Sequence, residues 1–253
     1  MQYTLKTMKK PIQEQLLGIN RDFYDQFAPS FSATRDRAQT GAQNLIERLP
    51  VDAAVLDVGC GNGTFARALA RSDFRGQYLG VDMSVKLLDE AVSLTGQPIT
   101  GYYQFAQADL SKPGWESDLS HLTFDWLVCF AVLHHLPGDE LRLKTVAAFR
   151  QLLAPQGSAA VSVWQWQNSA KLRKRVLPWS TVDCDLHELD EGDVLLDWRA
   201  GKTPGLRYVH TFTQQSLTSL AERAGFIVAE SFYSDGKAGD LALYQIWRLD
   251  NLD

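Results

Sequence analysis

The residues best suited to chemistry lie between Asp57 and Asp82. Asp57 sits inside an apolar run, Val55 to Val58, which breaks into Gly59-Cys60-Gly61-Asn62-Gly63 and then into the helix-forming stretch Thr64 to Arg71. A strand, a glycine turn and a helix in that order bring backbone N–H groups close to a ligand at a helix N-terminus. A second apolar run, Tyr78 to Val81, ends in Asp82, at the place where dinucleotide-type folds keep an acid for ribose hydroxyls. The glycines follow G-x-G-x-G and not the dinucleotide spacing G-x-G-x-x-G. A carboxylate ahead of them suits a ligand with cationic groups and would repel a pyrophosphate.

This stretch resembles motif I of the class I S-adenosylmethionine-dependent methyltransferases, whose cofactor carries a sulfonium, an ammonium and a ribose. The resemblance implies an α/β, Rossmann-like class I methyltransferase fold, with a mostly parallel seven-stranded sheet and a C-terminal antiparallel strand. The implied cofactor is S-adenosyl-L-methionine. Residues 59–63 would then approach its methionine part, and Asp57 would hold its ammonium, directly or through water. Asp82 would take the ribose hydroxyls, Met83 would pack on the adenine, and Asp109, between Ala108 and Leu110, would bind the adenine amine. Phe130 to His135 looks like motif IV, flanking the sulfonium and facing the acceptor, so Phe130, Ala131 and His135 join the cofactor contacts. Tyr24 and Arg35 are expected as a lid over the cofactor.

The resemblance extends to an acceptor. Phe23-Tyr24-Asp25, Phe31-Ser32-Ala33-Thr34-Arg35, Ala131-Val132-Leu133-His134-His135, Arg142, Gly192-Asp193-Val194-Leu195 with Trp198, and Arg207-Tyr208-Val209-His210 are similar to transfer-RNA wobble-uridine methyltransferases, which esterify a 5-carboxymethyl group. A carboxylate needs no general base but does need a cation, for which Arg35, Arg207 and His210 are the candidates. An amine or hydroxyl acceptor would want a base, and His134 or His135 could serve. Being adjacent, the two histidines are expected to point in different directions. With no third ligand near them they imply no metal. A small-molecule O-, N- or carboxyl-methyltransferase is the alternative, since Trp164, Trp166, Trp179, Trp198, Tyr208 and Phe212 suit a small apolar acceptor.

Elements that must position these groups follow from the patterning. A helical cap spans residues 1–50, with one helix from Pro11 to Phe27 ended by Pro29 and a second from about Thr40 to Leu49. Ser84 is the N-cap of a helix to about Leu94. Tyr102 to Ala106 is the third strand, and Phe124 to Phe130, apolar after its first acid, reads as a strand buried on both faces. Glu140 to Leu153 is a helix, Pro155-Gln156-Gly157 a turn and Ser158 to Val163 the fifth strand. Thr213 to Ala224 is a helix capped by Gly225, with strands from Phe226 to Tyr233 and Leu241 to Trp247 after it. Strands alternating with helices imply a parallel sheet with ligands beyond the strand C-termini. The methyltransferase domain covers 51–253, and within it residues 164–212 form a lid-like insertion for acceptor recognition, too long for an ordinary connection.

The chain has 253 residues, net charge −5 and pI about 5.6, so the molecule as a whole is no general nucleic-acid binder. One compact basic cluster, Lys171-Leu172-Arg173-Lys174-Arg175, precedes an acidic stretch, so transfer RNA would bind locally or with the help of a small activating subunit. Cys60 and Cys129 stand in apolar or glycine contexts and read as inert buried thiols; with Cys184 they form no zinc spacing. No apolar run approaches the roughly 20 residues of a membrane span, and the expected location is cytoplasmic.

Overall fold

The computed structural model describes residues 7–32, 37–93, 100–199 and 205–250. Strands β1 (Ala54–Val58), β2 (Gln77–Asp82), β3 (Tyr102–Gln107), β4 (Phe124–Phe130) and β5 (Leu153–Trp164) run parallel, and β9 (Phe226–Ser234) and β10 (Ala242–Leu249) complete a seven-stranded sheet. The order is β3-β2-β1-β4-β5-β10-β9, with β10 antiparallel to both of its neighbours. The order reverses direction between β1 and β4, and in open α/β sheets a crevice for ligands opens beyond the strand ends at that point.

The central strands are buried on both faces, as their unbroken apolar sequences require. Leu56 and Val58 of β1 pack with Leu127 and Cys129 of β4 on the face covered by α5 (Asp139–Leu152) and α7 (Gln214–Arg223). Val55, Val128 and Ala160 point the other way, against Leu45 of α2 (Thr40–Ile46) and Phe65 and Leu69 of α3 (Thr64–Leu69). Helix α4 (Val85–Val92) is started by Ser84, whose side chain accepts from the Leu87 N–H. Cys60 and Cys129 are buried, and burial pushes both thiols well above their ordinary pKa.

Three boundaries differ from the sequence reading by more than two residues. Helix α1 (Lys10–Ser32) continues through Pro29. Proline cannot donate to the carbonyl four residues back, here that of Asp25. Lys86 Nζ donates to that oxygen at 2.8 Å, which satisfies the freed acceptor and removes the reason to stop. Helix α2 ends at Ile46, short of Leu49, because the last turn tightens into Arg48 N–H to Leu45 O and Leu49 N–H to Ile46 O bonds. Pro155-Gln156-Gly157 belongs to β5 and is not a turn before it. The β4–β5 pairing jumps from Phe124↔Leu153 to Trp126↔Ser158, so these residues are accommodated as a bulge.

The stretch after β5 has its own architecture. A short helix α6 (Ala170–Arg173) leads into β6 (Val176–Leu177), β7 (Asp193–Trp198) and β8 (Gly205–His210), which form a separate antiparallel sheet. α1 packs on β8. Asn20 of α1 is the tie: its amide donates to the carbonyls of Tyr208 and His135 at 3.1 Å each, and its oxygen accepts from the Tyr208 N–H at 2.9 Å. Among the described residues, no helix is long and apolar enough to cross a membrane.

Candidate active site

A cavity of about 360 Å³ opens at the carboxyl ends of β1, β2 and β4, walled by α1 and β8. The loop after β1 supplies Gly59, Cys60, Gly61 and Asn62, and β1 itself supplies Asp57. Asp82 and Met83 come from the end of β2, and Ala108, Asp109 and Leu110 from the end of β3. The segment after β4 supplies Phe130, Ala131, His134 and His135, while Tyr24 enters from α1 and Arg207 from β8. Gly63 and His210 do not line it, and Arg35 lies outside the described residues.

The glycine loop is built on left-handed backbone. Gly59 (φ 79°) and Gly61 (φ 55°) both occupy the region that disfavours a side chain, yet their surroundings differ. A Cβ on Gly59 would meet Val132 Cγ2 at 2.3 Å, whereas one on Gly61 would find nothing within 4 Å. Gly59 therefore serves packing, and Gly61 opens its backbone to the cavity. The loop is pinned by Gly59 and Cys60 N–H groups donating to the Val81 carbonyl at 2.7 and 3.0 Å. Asp82 braces it from the side, accepting from the Gly61 N–H (2.9 Å) and the Ser84 N–H (2.9 Å). Burial raises the Asp82 pKa, and these backbone donors oppose the rise.

Asp57 is buried and accepts from the Tyr78 hydroxyl at 2.6 Å. Burial pushes its pKa up to about 7, the nearby charge of Asp82 adds to the rise and the Tyr78 bond opposes it. At neutral pH it is therefore poised between acid and carboxylate, and a cation beside it would favour the carboxylate. Asp109 closes a tight turn, with one oxygen accepting from the Ser111 N–H (3.0 Å) and hydroxyl (2.6 Å).

Ala131 adopts φ 58°, one of two non-glycine residues in that region among those described, and so turns the chain into the 3₁₀ segment Leu133–His135. The two histidines do not diverge as their adjacency suggested. Their ring centroids lie 4.3 Å apart, because Trp164 N–H holds His134 Nδ1 at 3.2 Å while the Tyr208 carbonyl faces His135 Nδ1 at 3.1 Å. Across the cavity the Arg207 guanidinium is buried within three aromatic rings, 4.9 Å from the centroids of Phe23, Trp164 and Trp198.

His210 instead belongs to a network behind β8. Asp193 Oδ1 accepts from the Tyr208 hydroxyl (2.7 Å) and lies 2.8 Å from His210 Nδ1. Asp190 pairs with Arg142 at 2.6 Å, and Arg142 also donates to the Leu136 carbonyl at 3.0 Å. Burial lowers the His210 pKa against the pull of Asp193, so its ring is neutral at neutral pH. Asp190, Asp193 and His210 bring ligand-type atoms within 4.8 Å of one another, but Arg142 already supplies the cation there.

The sequence reading missed Asn20 and the wall it builds. The signal was present: Asn20 interrupts the apolar face formed by Leu16, Phe23 and Phe27, and a lone amide on such a face is there to hold something.

The cavity fits the cofactor that motif I implies. It offers a buried carboxyl for a cation, an acid at the β2 end for hydroxyls, a side-chain-free backbone at Gly61 and a volume in the range of small-molecule sites. Strand order, glycine loop and acids together define a class I S-adenosylmethionine-dependent methyltransferase domain. The family model described as Methyltransferase domain matches residues 31–231, and the chain belongs to that family. Among relatives, it is 30% identical over 141 residues to the tRNA (carboxymethyluridine(34)-5-O)-methyltransferase of Arabidopsis thaliana, covering 56% of this chain and 31% of that protein. The Schizosaccharomyces pombe protein of the same name is 24% identical over 223 residues, covering 83% of this chain and 89% of its own length. The chain thus spans about a third of the plant relative and most of the yeast one. Among solved structures, the complex between the Haloferax volcanii Trm112 methyltransferase activator and the putative methyltransferase superposes with TM-score 0.64 at 16% identity, over 92% of this chain and 98% of that one.

Proposed function

We propose that the protein transfers a methyl group from S-adenosylmethionine to a carboxylate, and that the carboxylate is the 5-carboxymethyl group of a transfer-RNA wobble uridine. The observation that carries the reading is Arg207. A guanidinium buried within three aromatic rings lines the cavity that also holds the glycine loop and Asp82, and positive charge on that wall suits an anionic acceptor. The names of the plant and yeast relatives support this choice of acceptor.

The bound cofactor would contribute a methyl carbon already activated by a sulfonium. Asp57 and the backbone of Gly59 to Gly61 would hold its methionine part, Asp82 its ribose, and Met83, Asp109 and Leu110 its adenine. Phe130 and Ala131 would flank the reacting centre. Arg207 would orient the acceptor carboxylate, which is ionised at neutral pH and is itself the nucleophile, so no proton has to be removed. Tyr24 and His135, hydrogen-bonded to each other at 3.0 Å, would close the cavity beside it. The protein's work is then alignment and exclusion of water, which can be worth several kcal/mol of barrier. A small activating subunit fits the same reading, since the Haloferax neighbour was solved with one.

The test is transfer of labelled methyl from S-adenosylmethionine to bulk transfer RNA, with a small-molecule extract in parallel. Label in RNA that mild alkali releases identifies an ester and supports the assignment. Label confined to the extract moves the acceptor to small molecules and leaves the cofactor site standing.

A further inference from the structure

The basic cluster after β5 does not lie along one solvated helix face. Lys171, Lys174 and Arg175 meet a fourth cation, Arg199, in a cleft of about 440 Å³ that Ala170 also lines among the described residues. The fold makes this meeting. Pairing of Val176 with Leu196 continues one step to the Asp197 N–H donating to the Arg175 carbonyl at 2.9 Å, so Arg175 lies opposite Asp197. Arg199, two residues further on, returns to the same side of the chain. Arg199 pairs with Asp197, and that buried carboxylate is the one acidic group drawn into the cluster among the described residues.

The acidic stretch that follows in sequence does not cancel these charges, because its groups are engaged by α1, Arg142 and β8. Lys9 of α1 pairs with Glu188 at 3.0 Å, and Gln15 of α1 donates to the Asp183 carbonyl at 2.7 Å. Asp190 is engaged by Arg142, and Asp193 by Tyr208 and His210. In a chain of net charge −5, the acidic and basic groups of one insertion are thus held by different partners.

We infer that this cleft is a docking site for the phosphate backbone of RNA, holding the body of the acceptor while one nucleotide enters the cavity. The inference rests on the reading of the acceptor as RNA. Concavity and four cations suit a phosphate chain that passes through. No aromatic side chain lines the cleft among the described residues, which argues against a membrane surface, where aromatic anchors would accompany the charge. Trp198, adjacent to Arg199 in sequence, is one of the rings around Arg207, so one short segment contributes to both the cleft and the cavity wall.

The test is titration of the full chain with bulk transfer RNA across a range of salt, for the native protein and for Lys171→Gln/Lys174→Gln. Both side chains are exposed, so the melting temperature should not move. Losing two phosphate contacts should lower the slope of log affinity against log salt by about 1.4. KM for transfer RNA should rise several-fold, while kcat and S-adenosylmethionine affinity stay unchanged. Lys171→Arg/Lys174→Arg should restore both slope and KM. Native binding and turnover with an unaltered slope and KM in the Gln variant overturn the cleft and leave the RNA acceptor intact. No binding of transfer RNA by the native protein overturns both. Binding to phosphatidylserine vesicles that the Gln variant loses, with RNA binding unaffected, reassigns the cleft to a lipid surface and overturns the inference.

Discussion

The Tyr24 hydroxyl and His135 Nε2 lie 3.0 Å apart, and the other nitrogen of that ring, Nδ1, faces the Tyr208 carbonyl at 3.1 Å. A carbonyl can only accept, so Nδ1 carries the proton and Nε2 of the neutral ring accepts from the tyrosine. His134 has the opposite tautomer, since its Nδ1 accepts from the Trp164 N–H. One basic nitrogen therefore points into the cavity from His135, already engaged by a hydroxyl.

That arrangement makes His135 a test of the acceptor's chemistry. His135→Asn keeps a donor for the Tyr208 carbonyl and removes the basic nitrogen. With a carboxylate acceptor, kcat should fall by about tenfold or less, because no proton is abstracted. A general base contributes about 10²–10⁴-fold. A loss in that range, with a matching acid limb in the pH–rate profile, would point to an amine or hydroxyl acceptor instead.

The two glycines of the loop should separate folding from binding. Gly59→Ala forces a methyl to within 2.3 Å of Val132, in addition to the left-handed backbone, and should yield little folded protein. Gly61→Ala bears only the backbone cost, about 1–2 kcal/mol, and should fold. Its methyl would project into open cavity, so S-adenosylmethionine affinity should drop at least tenfold. Calorimetric titration beside thermal melting decides the matter; equal cofactor affinity in Gly61→Ala and the native chain would remove Gly61 from the site.

Asp57 gives a pH signature. Its pKa in the folded chain is raised, to about 7, against an ordinary value near 3.8. A group with a raised folded pKa contributes stability that is fully present below the unfolded pKa and lost as pH rises through the folded one. The ligand-free protein should therefore lose stability from this residue between about pH 4 and 7. Cofactor affinity should run the other way, since a bound ammonium favours the carboxylate: about tenfold tighter at pH 8 than at pH 6. Asp57→Asn should flatten both dependences, and a slope that survives the substitution would have to come from another group.

Much of this was legible in the sequence where a backbone constraint left a residue-type mark. β4 was read to its last residue because a strand buried on both faces must be continuously apolar, and the glycine loop because glycine adopts its φ at least cost. What escaped were long-range substitutions of one partner for another. Pro29 looked like a stop because the chain near it does not reveal that Lys86 will take the Asp25 carbonyl. Asn20 was passed over because Tyr208, its partner, is 188 residues away. The basic cluster read as one compact run because sequence adjacency does not reveal that Arg199 joins it across the β6–β7 pairing. His210 stands one step beyond the wall that Arg207 lines, turned inward to Asp193, although both lie in one short motif.

Arg207 carries the sharpest expectation. Its side chain is buried, its guanidinium plane is shared by three rings, and its backbone sits in β8 beside the Tyr208 that Asn20 clamps. Arg207→Met fills the cage with an apolar chain of similar length and removes the charge while keeping contact with the rings. Arg207→Lys keeps the charge but loses the planar fork and its stacking, and should cost about 2 kcal/mol of stability. If the residue only supports the wall, methyl transfer should follow stability, and the Met variant should be the more active of the two. If it holds the acceptor carboxylate, the order inverts. Arg207→Lys should then retain some transfer through its charge, Arg207→Met should lose it by a factor of a hundred or more, and both should bind S-adenosylmethionine within about twofold of the native chain. Melting temperature, cofactor affinity and acceptor kcat/KM measured on the same two variants distinguish the cases, because one mechanism ranks the variants by packing and the other by charge.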